Sequence, residues 1–346
     1  MSAIAKGPNP EKVEEADKLI KKSVASGETG AAVLDVRHAD FMIQRSYGKA
    51  KTGDAVFLLA SVTKPMTATG LMILVDCGQV SLRDPVKKYL PEFSGGDKDL
   101  ITVKHILTHT SGLPDQLPEN VDLRKRHAGL KDFYTGVCKT KLLFKPGTKV
   151  SYQSMGLLVA QEIAERVTKK RFRDFLKDEL FGPVGMKNTS LGLGGRKIAD
   201  TMPAQVVSAP ALYGTAENDW NWNSQYWRDL GAPWGGAHST TDDIHKLLHA
   251  FLHPAGNIMK KATAKQMVTV QTGALEPAWG LGWSLGKGNF GKKCSPQTFG
   301  HYGVTGTIAW ADPATGLRCV LLTTKPVDDW HGGLIGPVSD IVSEAV

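Results

Sequence analysis

Ser61 and Lys64 stand three residues apart in Ser61-Val62-Thr63-Lys64, at the head of an apolar run. Residues at that spacing share one face of a helix, so a hydroxyl and an amine can meet there. A serine is a poor nucleophile until a base takes its proton. A lysine can be that base only where burial or a cationic neighbour lowers its pKa. The start of a helix also presents backbone N–H groups to developing negative charge. Pro65 pulls the other way, because the residue before a proline leans away from helical angles, though a first turn tolerates it. By itself the tetrapeptide says little, since many chains contain one by chance.

Two further groups fit the same chemistry. Tyr152, in Tyr152-Gln153-Ser154, follows Pro146-Gly147-Thr148 and precedes a helical pattern. Placed near Lys64, it could relay a proton to a leaving group; a tyrosine packed at the core edge is the plainer reading. His301-Tyr302-Gly303 ends a strand pattern, where a glycine lets the backbone approach a ligand. The next N–H, from Val304, could complete an oxyanion hole with that of Ser61.

Other signals weigh less. Gly282-Trp283-Ser284-Leu285-Gly286 matches G-x-S-x-G, but that elbow needs a helix after its serine, and a glycine-rich loop follows Ser284. His245, His249 and His253 fall four apart, a spacing that can bind metal. No carboxylate motif completes a site, and the apolar face at Ile244, Leu247, Leu248, Phe251 and Leu252 turns the histidines toward solvent; no metal is expected. Trp220, Trp222, Tyr226, Trp227 and Trp234 crowd one loop, either as packing or as an apolar wall for an acyl or aryl group.

The elements that must position these groups follow from periodicity. Glu11 to Val24 has helical spacing. Strand patterns at Gly30 to Arg37 and Phe41 to Tyr47 flank a turn at His38-Ala39-Asp40. Ser61 to Asp76 reads as a buried helix. Gln153 to Val167 and Phe172 to Phe181 are helical, and Thr241 starts a helix running to about His253. Strands return at Trp279 to Leu285, Thr298 to Tyr302, Thr305 to Ala311 and Leu317 to Thr324, the last two around an Asp312–Gly316 turn. Leu334 to Val346 is helical again. The fold class is therefore α/β (α+β): an antiparallel sheet built from both termini and flanked by helices, with an inserted, mainly helical subdomain. Residues 1–81 and 241–346 make the sheet unit and 82–240 the insert, with a site in the cleft between them.

Composition narrows the class. The chain has 346 residues, 41% apolar and 22% charged, as in ordinary globular enzymes. No run reaches the roughly 18 to 20 apolar residues of a membrane span. The formal charge of +8 is scattered in pairs such as Lys21-Lys22 and Lys87-Lys88, without a nucleic-acid motif, so no nucleic-acid partner is expected. The four cysteines show no C-x-x-C spacing and read as reduced thiols. Met1 to Lys12 lacks the apolar stretch of a secretory leader, which points to the cytoplasm. Oligomeric state has no signature.

Taken in order, the motifs resemble the serine β-lactamase and penicillin-binding-protein superfamily, and within it the class C β-lactamase-like branch, which also holds family VIII esterases and D-aminopeptidases. The resemblance rests on Ala60-Ser61-Val62-Thr63-Lys64, His105-Ile106-Leu107-Thr108-His109-Thr110-Ser111-Gly112-Leu113, and Lys145-Pro146-Gly147-Thr148 leading to Tyr152. Phe181-Gly182-Pro183-Val184-Gly185-Met186, Gly235-Gly236-Ala237-His238-Ser239-Thr240 and Gly280-Leu281-Gly282-Trp283 add to it. The resemblance covers roughly Glu15 to Lys325, nearly the whole chain.

The resemblance implies Ser61 as acylated nucleophile, Lys64 as general base and Tyr152 as second proton carrier, with no cofactor. It also implies that the tryptophan loop borders the site. Two departures stand out. Ser154 replaces an asparagine that partners the lysine and the substrate amide in lactamases of this branch. His301 replaces the lysine of a K-T-G triplet that binds the β-lactam carboxylate, and histidine is a weaker, pH-dependent cation. Both point away from an efficient β-lactamase and toward esterase or peptidase relatives; carboxylic esters with small to medium acyl groups are the expected substrates, with β-lactams, D-amino-acid peptides or other amides as the alternative. A catalytically weak binding or assembly protein is the non-enzymatic alternative, opposed by the presence of serine, lysine and tyrosine together.

Overall fold

The computed structural model describes residues 8–206, 214–286, 288–327 and 333–346. Most of the Met1–Lys12 start, and Lys287 in the loop after Ser284, lie outside them. Among the described residues, the α-helices of at least five residues are α1 (Pro10–Ala25), α2 (Thr63–Asp76), α3 (Val103–Leu107), α4 (Asn120–Lys125), α5 (Leu130–Lys139), α6 (Met155–Thr168), α7 (Phe172–Leu176), α8 (Gln225–Leu230), α9 (Thr241–Leu252), α10 (Lys261–Met267) and α11 (Ile335–Ser343). Among the described residues no helix is long and apolar enough to cross a membrane.

The main sheet draws on both ends of the chain. Its strands are β1 (Ala31–His38), β2 (Phe41–Gly48), β6 (Ser284–Leu285), β7 (Phe299–Gly303), β8 (Thr307–Ala311) and β9 (Arg318–Thr323). Their order is β2-β1-β9-β8-β7-β6, and every pairing is antiparallel. A smaller sheet joins β3 (Phe57–Leu58), β5 (Ala237–Ser239) and β4 (Ser190–Leu191) in that order.

Alternation along the central strands builds two cores. Ala32, Leu34 and Val36 of β1 face Ala16 and Ile20 of α1 and Val338 and Val342 of α11. Ala31 and Val33 point to the other side, into the core that holds α2 and α6. With both faces covered, β1 reads as a nearly continuous apolar run rather than a strict alternation. Every residue of α2 from Thr63 to Leu74 is buried, so this helix runs through the middle of the protein.

Local departures from the expected elements have physical causes. α2 begins at Thr63, after a 3-10 turn over Ala60–Val62, so Pro65 falls in its first turn, where no N–H is needed. The helix expected over Phe172 to Phe181 is α7 followed by a π-helical turn, Lys177–Phe181. Of the strand expected over Trp279 to Leu285, only Ser284–Leu285 pairs. The rest turns back on itself, with Trp279 bridging Ser284 and the Gly280 N–H donating to Trp283 O. Gly282 has φ +80°, and a Cβ there would lie 2.2 Å from Ala68 Cβ on α2. The turn therefore packs against the helix that carries Lys64.

The histidine stripe is also corrected. His249 and His253 are exposed, but His245 is fully buried, with Nε2 3.0 Å from Asp35 O and 3.2 Å from Asp35 Oδ1. Asp35 sits on β1, under α9, where Arg37 and Gln44 also donate to it. A polar stripe on a helix that packs on a sheet can meet a buried acid there instead of water.

Candidate active site

The turn that carries Ser61 is held by strands on both sides. The Leu59 N–H donates to Ala237 O (2.9 Å), and the Ala237 N–H donates to Thr63 Oγ1 (3.0 Å). Thr305 in the β7–β8 turn and Thr307 at the start of β8 donate their hydroxyls to Leu58 O (2.9 Å) and Leu59 O (2.7 Å). Ala60 is forced to φ +46°, a region that costs a non-glycine residue about 1–3 kcal/mol. The strained residue directly precedes Ser61.

Lys64 is almost completely buried, and its Nζ donates to Ser61 Oγ (2.9 Å) and to Trp234 O (2.9 Å). The same nitrogen lies 4.7 Å from the centre of the Tyr152 ring. Burial brings the Lys64 pKa down to about 8, against a smaller opposing pull from the Asp115 carboxylate. Ser61, Lys64 and Tyr152 thus come together although 91 positions separate the first from the last.

Tyr152 is delivered by a run of backbone bonds between two distant segments. The Leu143, Gly147 and Ser151 N–H groups donate to Gly112 O (2.7 Å), Thr110 O (2.8 Å) and His109 O (2.9 Å). Gly112 has φ +81°, and a Cβ there would lie 2.2 Å from Phe144 O, so only glycine lets the segments run this close.

Gly303 ends β7 against the turn that carries Ser61. A Cβ on it would lie 2.3 Å from Leu59 O and 3.1 Å from Ala60 Cβ. Ser61, Val304 and Tyr302 line one cavity of about 690 Å³, which also meets Tyr152 and His301. Ser284 reaches the same wall, where its hydroxyl accepts from Asn289 Nδ2 (3.3 Å).

Ser154 and His301 have defined polar partners. Ser154 borders the cavity, but its hydroxyl donates to Asp115 Oδ1 (2.6 Å), while Lys64 is bonded to Ser61 and Trp234. His301 is not a cation. It is buried, its Nδ1–H donates to Tyr302 O (2.7 Å), and burial together with the Lys64 charge pushes its pKa down to about 3.

The tryptophan group divides. Trp222, Trp227 and Trp234 line the cavity. Trp220 and Tyr226 are not among its lining residues. Trp220 packs on the Arg124 guanidinium, which also lies 3.9 Å from the centre of the Trp227 ring. Tyr226 stacks on His127 and donates to Ala128 O (2.9 Å).

Asp115, Arg124, His109 and Trp279 were not singled out from the sequence, yet the first two and Trp279 line the cavity. His109 packs under Tyr152 with ring centres 4.9 Å apart, edge-on to Trp279 at 4.3 Å. His109 lies inside the His105–Leu113 segment that carries part of the family resemblance, and that motif is its signal in the sequence. Asp115 and Arg124 have no telling spacing.

Comparison with known proteins agrees with this architecture. The profile of the family described as beta-lactamase matches residues 16–334. A Salmonella agona (strain SL483) protein provisionally assigned as a D-alanyl-D-alanine carboxypeptidase is 27% identical, over 92% of this chain and 84% of its own. The D-amino acid amidase of Ochrobactrum anthropi SV3, solved with D-phenylalanine, superposes with a TM-score of 0.77 at 23% identity, covering 96% of this chain and 98% of its own. A family VIII carboxylesterase superposes with a TM-score of 0.75 at 20% identity, covering 96% and 98%.

Proposed function

Because the chain belongs to the β-lactamase family of serine hydrolases, we propose that it hydrolyses small carboxylic esters through an acyl-enzyme on Ser61. The observation that carries this reading is the 2.9 Å contact between Ser61 Oγ and a buried Lys64 whose pKa falls to about 8. An amine neutral in part near pH 7 to 8 can accept the serine proton as the hydroxyl attacks the carbonyl carbon. The N–H groups of Ser61 and Val304 face the developing oxyanion. Tyr152 gives its proton to the departing oxygen as the C–O bond breaks, and takes the one held by Lys64. Water then releases the acid. The cleft between the sheet unit (1–81 with 241–346) and the helical unit (82–240) belongs to the same proposal. Four unpaired cysteines support a reducing compartment such as the cytoplasm.

Neutral His301 favours esters over β-lactams, since no charge at that position meets a carboxylate. Asp115 favours a second reading, in which the acyl group carries an ammonium, as in amino-acid esters and amides. Its carboxylate lines the cavity near Lys64, and when Lys64 is neutral a substrate ammonium can take over the charge it faces. Mass spectrometry of the intact protein after a short-chain activated ester, a fluorophosphonate and penicillin tests the nucleophile. One acyl or phosphonyl adduct on Ser61 is expected. Labelling of a Ser61→Ala protein would overturn the assignment.

A further inference from the structure

Tyr152 is gripped on both sides by one residue. The Ser151 N–H donates to the main-chain oxygen of His109 (2.9 Å), and the Gln153 N–H donates to its ring Nδ1 (3.1 Å). The imidazole packs against the phenol at 4.9 Å, backed by Trp279. His109 holds φ +59°, a left-handed conformation that a non-glycine residue adopts at a cost. The accepting Nδ1 also dictates the tautomer, leaving the hydrogen on Nε2. That N–H is buried and has no hydrogen-bond partner among the described residues. A strained backbone and an unpaired buried N–H both cost stability, and a residue chosen for packing alone would have neither.

We propose that His109 is the positioning residue of the proton donor. Through its two acceptors it fixes the backbone before and after Tyr152, and so sets where the phenol meets the leaving oxygen. Burial and the nearby Lys64 keep the ring neutral, so that Nδ1 remains an acceptor while Lys64 cycles. The proposal rests on the proton-donor role given to Tyr152 above.

A defect in proton donation has a signature that general loss of structure lacks. It grows with the basicity of the leaving oxygen, because p-nitrophenolate departs without a proton and an alkoxide does not. His109→Gly removes the ring acceptor but accommodates φ +59°. His109→Asn keeps an acceptor near Nδ1 and tolerates the left-handed backbone. For His109→Gly, kcat/KM on ethyl butyrate should fall roughly tenfold or more beyond its fall on p-nitrophenyl butyrate, since small misplacements of a catalytic group cost up to about 100-fold. His109→Asn should restore the wild-type ratio of the two esters. Equal losses on both esters in a His109→Gly protein of native circular dichroism would overturn the proposal, as would a changed ratio in His109→Asn. Tyr152→Phe separates the two levels. If it shows the leaving-group dependence and His109→Gly does not, only the role of His109 falls. If Tyr152→Phe shows none, the proton-donor reading falls and this proposal with it.

Discussion

Asp115 accepts the Ser154 hydroxyl at 2.6 Å, and the same carboxylate acts electrostatically on the buried Lys64. The Ser154 side chain is thereby bonded to an acid on the cavity wall. Lys64 is left with Ser61 Oγ and Trp234 O. The acid opposes the effect of burial on the lysine, so the two together set the pH at which the base becomes competent.

That balance has a sign. Lys64 must be neutral to take the serine proton, so kcat/KM for an activated ester should rise through a pKa of about 8. Asp115 raises the Lys64 pKa, and Asp115→Asn should move the rising limb to lower pH. A pH–rate profile from 6 to 10 on both proteins, with chemistry rate-limiting, measures this. A limb shifted to higher pH in Asp115→Asn would contradict the coupling.

Ser61→Ala should lower ester turnover by roughly 10⁴-fold or more while the fold persists. Ser284→Ala should stay within about tenfold of wild type, because among the described residues its hydroxyl bonds only to Asn289, a contact worth roughly 1 kcal/mol. Fluorophosphonate labelling of both variants, read by intact mass, separates the two serines. The adduct should persist in Ser284→Ala and vanish in Ser61→Ala.

Gly303→Ala should impair catalysis without touching any proposed catalytic side chain. Its new Cβ would lie 2.3 Å from Leu59 O, a backbone atom, so the β7–β8 turn and the nucleophile turn must move apart. Losing one oxyanion donor costs roughly 100- to 1,000-fold in kcat. A loss of that order is expected on p-nitrophenyl butyrate. Unchanged kcat would remove Val304 from the oxyanion hole.

Ester cleavage should exceed nitrocefin cleavage by at least about 100-fold in kcat/KM. A missing charge-assisted contact to the lactam carboxylate is worth roughly 1.5–3 kcal/mol. Comparable rates on nitrocefin and p-nitrophenyl butyrate would favour the lactam reading.

Much of this protein was legible before folding. The apolar run after Ser61, the S-x-x-K spacing and the glycine-bounded segments are local patterns, and local patterns survive in one dimension. They picked out Ser61, Lys64 and Tyr152, which the fold brings together, and the antiparallel sheet built from both ends. Segment boundaries were less legible, because Trp279–Ser284 alternates like a strand while its glycines let it turn against α2.

What only the tertiary structure decided is the environment of each group. His301 looked like a pH-dependent cation; burial and the neighbouring Lys64 charge keep it neutral. His245 looked like a solvent-facing residue, and a buried Asp35 more than 200 positions away made it an interior one. Asp115 and His109 acquire partners only when segments about 40 positions apart are laid side by side. Residue type and spacing determine which chemistry is available, whereas desolvation and long-range hydrogen bonds determine charge state, tautomer and aim. Those two quantities depend on neighbours in space, and the sequence by itself does not contain them in readable form.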